Sequence, residues 1–151
     1  MALSTAHINE ILYNSPIARE KFIGTFASCQ FGRIPEKRVY GFITNDQNHL
    51  LPGGHWNGWW VEDDVVTFFD SFARSPLEFG HDYEHILRHF KSFKYTSKHL
   101  QSLDSVVCGY YCIHFILLLS SGFSVKCFLN EYTQNTNEND LFVVKVINSL
   151  I

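Results

Sequence analysis

Cys108, His55 and Asp70 carry the three kinds of side chain that covalent catalysis by a cysteine requires. Cys108 stands at the start of an almost wholly apolar stretch, residues 108–121, which is predicted to be a buried helix closed by Gly122. A thiol in that position lies at the positive end of the helix dipole, which favours the thiolate. A thiolate beside an imidazole that a carboxylate orients can act as a nucleophile with its base.

The spacing of His55 and Asp70 predicts that these two residues meet. Two β-rich runs, residues 57–61 and 65–70, flank residues 62–64 and indicate an antiparallel hairpin. A turn centred between Glu62 and Asp63 places His55 directly opposite Asp70, with the two Cβ atoms about 4.5–5.5 Å apart. A one-residue bulge would instead send the two side chains to opposite faces of the sheet.

Two further residues near Cys108 could assist the same chemistry. Gln101, in a loop seven residues before Cys108, could donate its amide, together with the Cys108 backbone N–H, to an oxyanion. Gly109 has no side chain, so the backbone of a substrate could approach closely. Taken alone, each residue also fits an ordinary role, since a cysteine on an apolar helix is most often a core residue.

The elements that must position these residues indicate an α+β domain spanning residues 1–151. An antiparallel or mixed sheet is expected to pack against the central buried helix that carries the nucleophile. The other predicted elements are a helix with Ile8, Ile11 and Leu12 inward after a cap at Ser4 or Thr5, a second short helix from Ser15 to about Gly24, a strand at 39–44, a loop at 45–54, a helix at 77–93, a strand at 93–96, a loop at 98–107, a polar loop at 133–140 and a helix at 141–150.

Composition narrows the class of protein. The net charge of −3 argues against a surface wholly devoted to nucleic acid or to an anionic membrane. The longest apolar stretch, residues 113–119, is well short of the roughly 18–20 residues of a membrane span. The four cysteines lack the spacing of a disulfide framework and no secretory segment opens the chain, so we expect free thiols in a reducing compartment. Cys29, Cys112 and Cys127 are expected to be buried small hydrophobic residues.

Three other patterns could carry a function. Residues 88–98 combine four Lys or Arg with aromatic residues and no acid, which could form a local nucleic-acid strip, although a solvated helix face is favoured. His81, His85 and His89 could share a helix face, but a metal needs a further ligand from elsewhere, so no metal site is predicted. Three residues separate Cys108 from Cys112, one more than in a thioredoxin-type redox pair.

The order of these residues resembles the adenain family, the adenovirus-type maturation cysteine proteases, which share a clan with the proteases of ubiquitin-like proteins. The resemblance covers roughly residues 20–120. It rests on Gly53-Gly54-His55-Trp56, Phe68-Phe69-Asp70-Ser71-Phe72, Gln101 and Cys108-Gly109-Tyr110-Tyr111-Cys112, with weaker likeness at residues 22–26 and 35–38.

Site roles follow from this resemblance as expectations. It implies an adenain-like cysteine protease fold with Cys108 as the nucleophile, His55 as the base and then the acid, and Asp70 as the residue that orients His55. Gln101 would line the oxyanion hole and Trp56 would cover the imidazole face, while Gly54 and Gly109 would support the substrate.

The resemblance also implies a function. It indicates an endopeptidase that cleaves Gly-Gly or Gly-X bonds and matures capsid or core precursors of a DNA virus, virophage or virus-like mobile element, in the virion and the infected host cell. A deconjugase of a ubiquitin-like modifier and a catalytically silent scaffold relative stay open.

Two departures from the family limit what can be carried over. Adenovirus proteases bind an activating peptide through a disulfide, yet this chain has no cysteine between Cys29 and Cys108. Those proteases are also basic and use DNA, whereas this chain is acidic. No cofactor is called for by the sequence. An activating peptide or nucleic acid is left open, nucleic acid is only a weak candidate partner, and a membrane is not expected.

Overall fold

The computed structural model describes residues 2–46 and 54–151. Five strands and five α-helices of this part of the chain are α1 (Thr5–Asn14), β1 (Phe22–Ala27), β2 (Val39–Asn45), β3 (Trp56–Glu62), β4 (Val65–Phe69), α2 (His81–Leu87), β5 (Ser92–Tyr95), α3 (Cys108–Ser120), α4 (Val125–Asn130) and α5 (Thr136–Asn148). Short 3₁₀ helices lie at Ser28–Gln30 and Pro76–Phe79.

The strands form one mixed sheet in the order β1-β2-β3-β4-β5. The two outer pairs, β1 with β2 and β4 with β5, are parallel, and the inner pairs are antiparallel. Helix α3 packs on one face with α1, α4 and α5, while α2 covers the other face. The predicted α+β class, with a mixed sheet against a central buried helix, is confirmed.

Two glycines let α3 approach the sheet closely. A Cβ at Gly58 in β3 would lie 2.9 Å from the ring of Phe115, and a Cβ at Gly41 in β2 would lie 2.7 Å from the Ile116 side chain. Contacts that short do not occur between packed side chains, so glycine is needed at both positions. Because α3 is held this closely, the start of β3 and the end of β4 lie near Cys108, the first residue of α3.

The turn of the β3–β4 hairpin is centred one residue later than predicted, between Asp63 and Asp64. Asp63 and Asp64 both have positive φ, at 48° and 69°, which is the conformation of a two-residue type I′ turn. Glu62 therefore pairs with Val65, and the register places Asn57, not His55, opposite Asp70. The predicted register is wrong by two residues. A shift of two keeps side chains on the same face of the sheet, so His55 and Asp70 still lie diagonally on one side.

The predicted helix from Ser15 to Gly24 is wrong, and a strand was missed there. The Ser15 hydroxyl accepts the Ala18 N–H at 3.3 Å, but only a turn forms. The chain then enters β1 at Phe22, where it pairs with β2 across a register shift that includes Gly24. Pairing of β1 with a buried neighbouring strand outweighs the weak local preference for a helix.

Helix boundaries in the second half also differ from the prediction. Gly80, with φ of 95°, divides the predicted 77–93 helix into Pro76–Phe79 and α2, and the chain already forms β5 at Ser92. Helix α5 begins five residues earlier than predicted because the Asn135 side chain caps the Glu138 N–H at 3.1 Å. Helix α4 was missed, although Ser124 caps it in the same way at Cys127.

Several predicted elements are confirmed with small changes at their ends. Helix α1 has Ser4 as its cap with Ile8 and Leu12 fully buried, β2 and β5 lie where strands were expected, and α3 ends one residue early, before Gly122. Of the predicted 45–54 loop, residues 47–53, including Gly53, lie outside the described residues. None of the helices described is both long and apolar enough to cross a membrane.

Candidate active site

Cys108 is the first residue of α3 and is only 6% exposed. The backbone N–H of Trp56, at the start of β3, donates to its Sγ atom at 3.5 Å. The free N–H groups of the first helical turn and the helix dipole act on the same sulfur. Cys108 therefore lies where hydrogen-bond donors and the dipole favour a thiolate.

His55 is held at the mouth of the hairpin, directly before β3. Its backbone N–H donates to the Asp46 carboxylate at 2.8 Å, and its carbonyl accepts the Asp46 N–H at 3.1 Å. The ring Nε2 atom is bonded to Asp70 Oδ1, and the Cys108 thiol lies close enough to the imidazole to help raise its pKa. Because Asp70 takes Nε2, Nδ1 is the ring atom left for Cys108.

Asp70 is fully buried, yet donors surround its carboxylate. Oδ1 receives the His55 ring nitrogen and Asn57 Nδ2 at 2.9 Å; Oδ2 receives the Arg74 backbone N–H at 3.1 Å and Arg74 Nε at 3.0 Å. Burial alone would raise the pKa of Asp70, but the hydrogen bond and charge of His55 and the hydrogen bonds of Arg74 lower it below its ordinary value. Asp70 is therefore an ionised, immobile partner for His55.

The environment of His55 makes its ring a cation at neutral pH. Burial lowers the pKa of His55, but hydrogen bonds to Asp70 and Cys108 and the negative charges of both groups outweigh this and raise the pKa to about 9. The His55 ring thus lies between the Asp70 carboxylate and the Cys108 thiol, and the environment of the ring favours its protonated form.

The resemblance implied that Trp56 covers the imidazole of His55, but two other rings lie against it. Phe72 stacks on His55 at a centroid distance of 5.2 Å and Phe79 at 6.3 Å, both nearly parallel to it. Trp56 instead donates its indole N–H to the Leu3 carbonyl at 3.1 Å. The sequence did contain a clue to the position of Phe72. This residue follows Asp70 by two positions, so its side chain returns to the side of Asp70 and its partner His55.

Asn57 was missed by sequence reasoning. Its amide nitrogen donates to Asp70, and its amide oxygen accepts the Tyr83 hydroxyl at 2.5 Å. Tyr83 in turn accepts from Thr44 at 3.1 Å, and Thr44 accepts the Trp59 indole N–H at 2.9 Å. This buried chain directs every donor toward Asp70. The correct hairpin register would have revealed Asn57, because it is the residue opposite Asp70.

Gln101 lies buried in the loop between β5 and α3, in contact with Ser71 and Ser105. Its Oε1 atom accepts the Ser71 hydroxyl at 2.6 Å, and its Nε2 atom donates to the carbonyl and the hydroxyl of Ser105, both at 3.0 Å. Both amide hydrogens therefore have partners. Donation to an oxyanion requires that one of the two Ser105 contacts be released.

The two glycines of the predicted site have local roles in the backbone and the packing. Gly54 has a positive φ of 105°, a conformation that suits glycine directly before His55. A Cβ on Gly109 would lie 3.2 Å from the Trp56 ring and 3.3 Å from Leu3 Cβ. The space over Gly109, which was expected to admit a substrate backbone, is therefore filled by Trp56 and Leu3.

The other cysteines and histidines lie apart from this arrangement. Cys112 is fully buried as predicted, and burial raises the pKa of its thiol well above the usual value; Cys29 and Cys127 are exposed, so the prediction that they are buried is wrong. Of the three spaced histidines, His89 lies beyond the end of α2. Among residues 2–46 and 54–151, no group of three or more His, Cys, Asp or Glu side chains is placed to hold a metal ion.

Comparisons with known proteins show the fold. No known protein family and no curated protein sequence matches the chain. The crystal structure of the ASFV pS273R protease is similar with a TM-score of 0.57 and 18% identity, over 92% of this chain and 64% of that one. A Se-Met structure of the same protease gives 0.60 and 17%, over 92% and 65%. The chain thus shares the fold of the ASFV pS273R protease and spans less than two thirds of that protease's length.

Proposed function

We propose that this chain is a cysteine endopeptidase of the adenain type, with Cys108 as nucleophile, His55 as its proton carrier and Asp70 as the orienting carboxylate. The observation that carries the proposal is the largely buried imidazole of His55, which is bonded to Asp70 through Nε2 and whose pKa is raised by both Asp70 and Cys108. Residues from three separate elements converge there on one geometry. The fold shared with a viral cysteine protease supports the same reaction class.

The reaction follows from this geometry. The Cys108 thiolate attacks the substrate carbonyl carbon, a C–S bond forms, and the carbonyl oxygen becomes an oxyanion near the Cys108 N–H and Gln101. His55 gives its proton to the amide nitrogen, the C–N bond breaks, and the amine leaves. Water then attacks the thioester; His55 takes a proton from it, and the acid product departs as the thiolate re-forms.

Substrate class is the finer part of the proposal. The resemblance to adenain supports cleavage at Gly-Gly or Gly-X bonds, and the viral origin of the structural neighbour supports a role in maturing capsid or core precursor proteins. The proposed setting is accordingly the virion and the infected host cell, where a reducing compartment would keep Cys108 as a thiol.

The test is hydrolysis of a peptide panel that varies the residue before the cut. We expect cleavage of peptides with Gly at that position, little with Leu or Phe, and none by Cys108→Ala. Mass spectrometry of quenched reactions should show an acyl group on Cys108. If all peptides survive and no acyl group forms, the catalytically silent scaffold replaces the protease. Faster cleavage of a ubiquitin-like modifier fusion than of capsid-type peptides would change the substrate class to a deconjugase.

A further inference from the structure

Ser71 follows Asp70 directly and contacts Gln101 twice. The Ser71 carbonyl accepts the backbone N–H groups of Leu100 at 2.9 Å and Gln101 at 3.2 Å, and the Ser71 hydroxyl lies 2.6 Å from Gln101 Oε1. Ser71 is 1% exposed and Gln101 is also 1% exposed. Asp70 and Ser71 directly follow β4, so one short segment carries both the orienting carboxylate and the residue that anchors Gln101, the predicted oxyanion donor.

The partners of Gln101 fix which way its amide points. The Ser105 carbonyl can only accept, so the amide atom 3.0 Å from it must be the nitrogen. The other amide atom is then the oxygen, and the Ser71 hydroxyl must donate to it. Donation to a carbonyl oxygen strengthens the N–H groups at the other end of the same amide as donors.

We infer that Ser71 is a positioning residue for the oxyanion amide, holding Gln101 by its Oε1 atom so that Nε2 faces the segment leading to Cys108. One Nε2 hydrogen stays on the Ser105 carbonyl. The other Nε2 hydrogen exchanges its hydrogen bond to the Ser105 hydroxyl for one to the developing oxyanion. The Ser105 hydroxyl can release Gln101 because it keeps a second partner, the Ser102 carbonyl at 3.3 Å. This inference rests on the proposed function.

Two reactions of Cys108 separate this role from a general structural one. Iodoacetamide reacts with a thiolate at a tetrahedral carbon and forms no oxyanion, so its rate reports only Cys108 and its proton carrier. Peptide hydrolysis needs the oxyanion donors as well. A residue that acts through Gln101 therefore affects hydrolysis and leaves alkylation unchanged, whereas a residue that acts through Asp70 and His55 affects both.

The experiment compares Ser71→Ala, Gln101→Ala and the double variant on a Gly-Gly fluorogenic peptide and on iodoacetamide. Loss of an oxyanion donor costs on the order of 10²–10³ in kcat, so we expect about that loss for Gln101→Ala and about 10-fold for Ser71→Ala, with KM unchanged. The double variant should be no slower than Gln101→Ala. All three should alkylate at the wild-type rate. Ser28→Ala, which removes another buried hydroxyl from a remote 3₁₀ helix, is the matched control.

Other outcomes overturn the inference. The inference fails if Ser71→Ala keeps the wild-type kcat, or if hydrolysis and alkylation are reduced equally. It also fails if the loss in the double variant equals the product of the two single losses. If Ser71→Ala does not fold, Ser71→Thr and Ser71→Val replace it; these two have nearly the same shape, and only the threonine variant should keep kcat. A wild-type chain that neither alkylates at Cys108 nor hydrolyses the peptide overturns the proposed function, and this inference with it.

Discussion

Two histidines of this protein, one largely and one almost completely enclosed, have opposite acid–base behaviour. His55 lies between Asp70 and Cys108, and its pKa is raised to about 9. His114, in the middle of α3, is bonded through Nδ1 to the Tyr132 hydroxyl at 2.5 Å and is surrounded by the rings of Phe128 and Phe142. Burial lowers the pKa of His114 to about 4.

The difference shows what makes a buried histidine useful in catalysis. Burial lowers the pKa in both places, so burial alone yields a neutral ring such as His114. The hydrogen bonds and negative charges of Asp70 and Cys108 beside His55 reverse the sign of the pKa shift. The protein therefore contains one histidine that carries a proton at neutral pH, beside Asp70, and one that serves as a neutral core residue between α3, α4 and α5.

Asp70→Asn should produce the largest change, because it removes the charge that distinguishes the two histidines. The pKa of His55 should fall from about 9 toward the range of His114, and kcat should fall by about 10⁴, as when the carboxylate of a catalytic triad is neutralised. A titration of the histidine ring protons by NMR, together with peptide hydrolysis, measures both. A pKa for His55 that stays near 9 in this variant would show that Asp70 is not the source of the shift.

His114 should control stability in acid. The unfolded chain binds a proton at this residue below pH of about 6.5, whereas the folded chain does so only below about 4, so the free energy of unfolding falls as pH drops through that interval. The loss is at most on the order of 3 kcal/mol. His114→Gln, which keeps an acceptor for Tyr132, should reduce this pH dependence in urea unfolding at pH 7, 5.5 and 4. An unchanged slope would mean that His114 is not buried as a neutral ring.

Arg74→Met should have the smallest effect of the three. Arg74 is 40% exposed, and Asp70 keeps His55, Asn57 and the Arg74 backbone N–H as donors, so the side chain adds a solvent-screened interaction. We expect kcat to fall only about two- to fivefold. Arg38→Met, which breaks the surface pair with Asp63, is the matched control and should leave kcat unchanged. A loss as large as that of Asp70→Asn would assign Arg74 a direct part in holding His55.

The sequence predicted the positions of those site residues whose placement depends on neighbouring residues in the chain. Cys108 at a helix start, with apolar residues after it, could be placed from pattern alone. His55 and Asp70 were placed on the same face of the hairpin even though the predicted register was wrong, since a two-residue shift preserves the face. Local patterns were sufficient to place these three residues, and the resemblance assigned their roles.

The supporting residues depend on contacts between distant parts of the chain. Asn57 and Tyr83 are joined through a side-chain bond between β3 and α2, and no periodicity predicts that pairing. Ser71 meets Gln101 only because the loop after β5 folds back beside β4. The missed strand β1 has the same explanation, because its formation depends on pairing with β2.

The most direct test of the account is the rate of Cys108 alkylation by iodoacetamide across pH, in the wild-type chain and in His55→Ala, with each cysteine followed by peptide mass spectrometry. We expect rapid alkylation at Cys108 alone near neutral pH in the wild type. In His55→Ala, reaction at Cys108 should move to more alkaline pH. Slow alkylation of Cys108 that resembles that of Cys29 and Cys127 and is unaffected by His55 would contradict the pairing of Cys108 with His55.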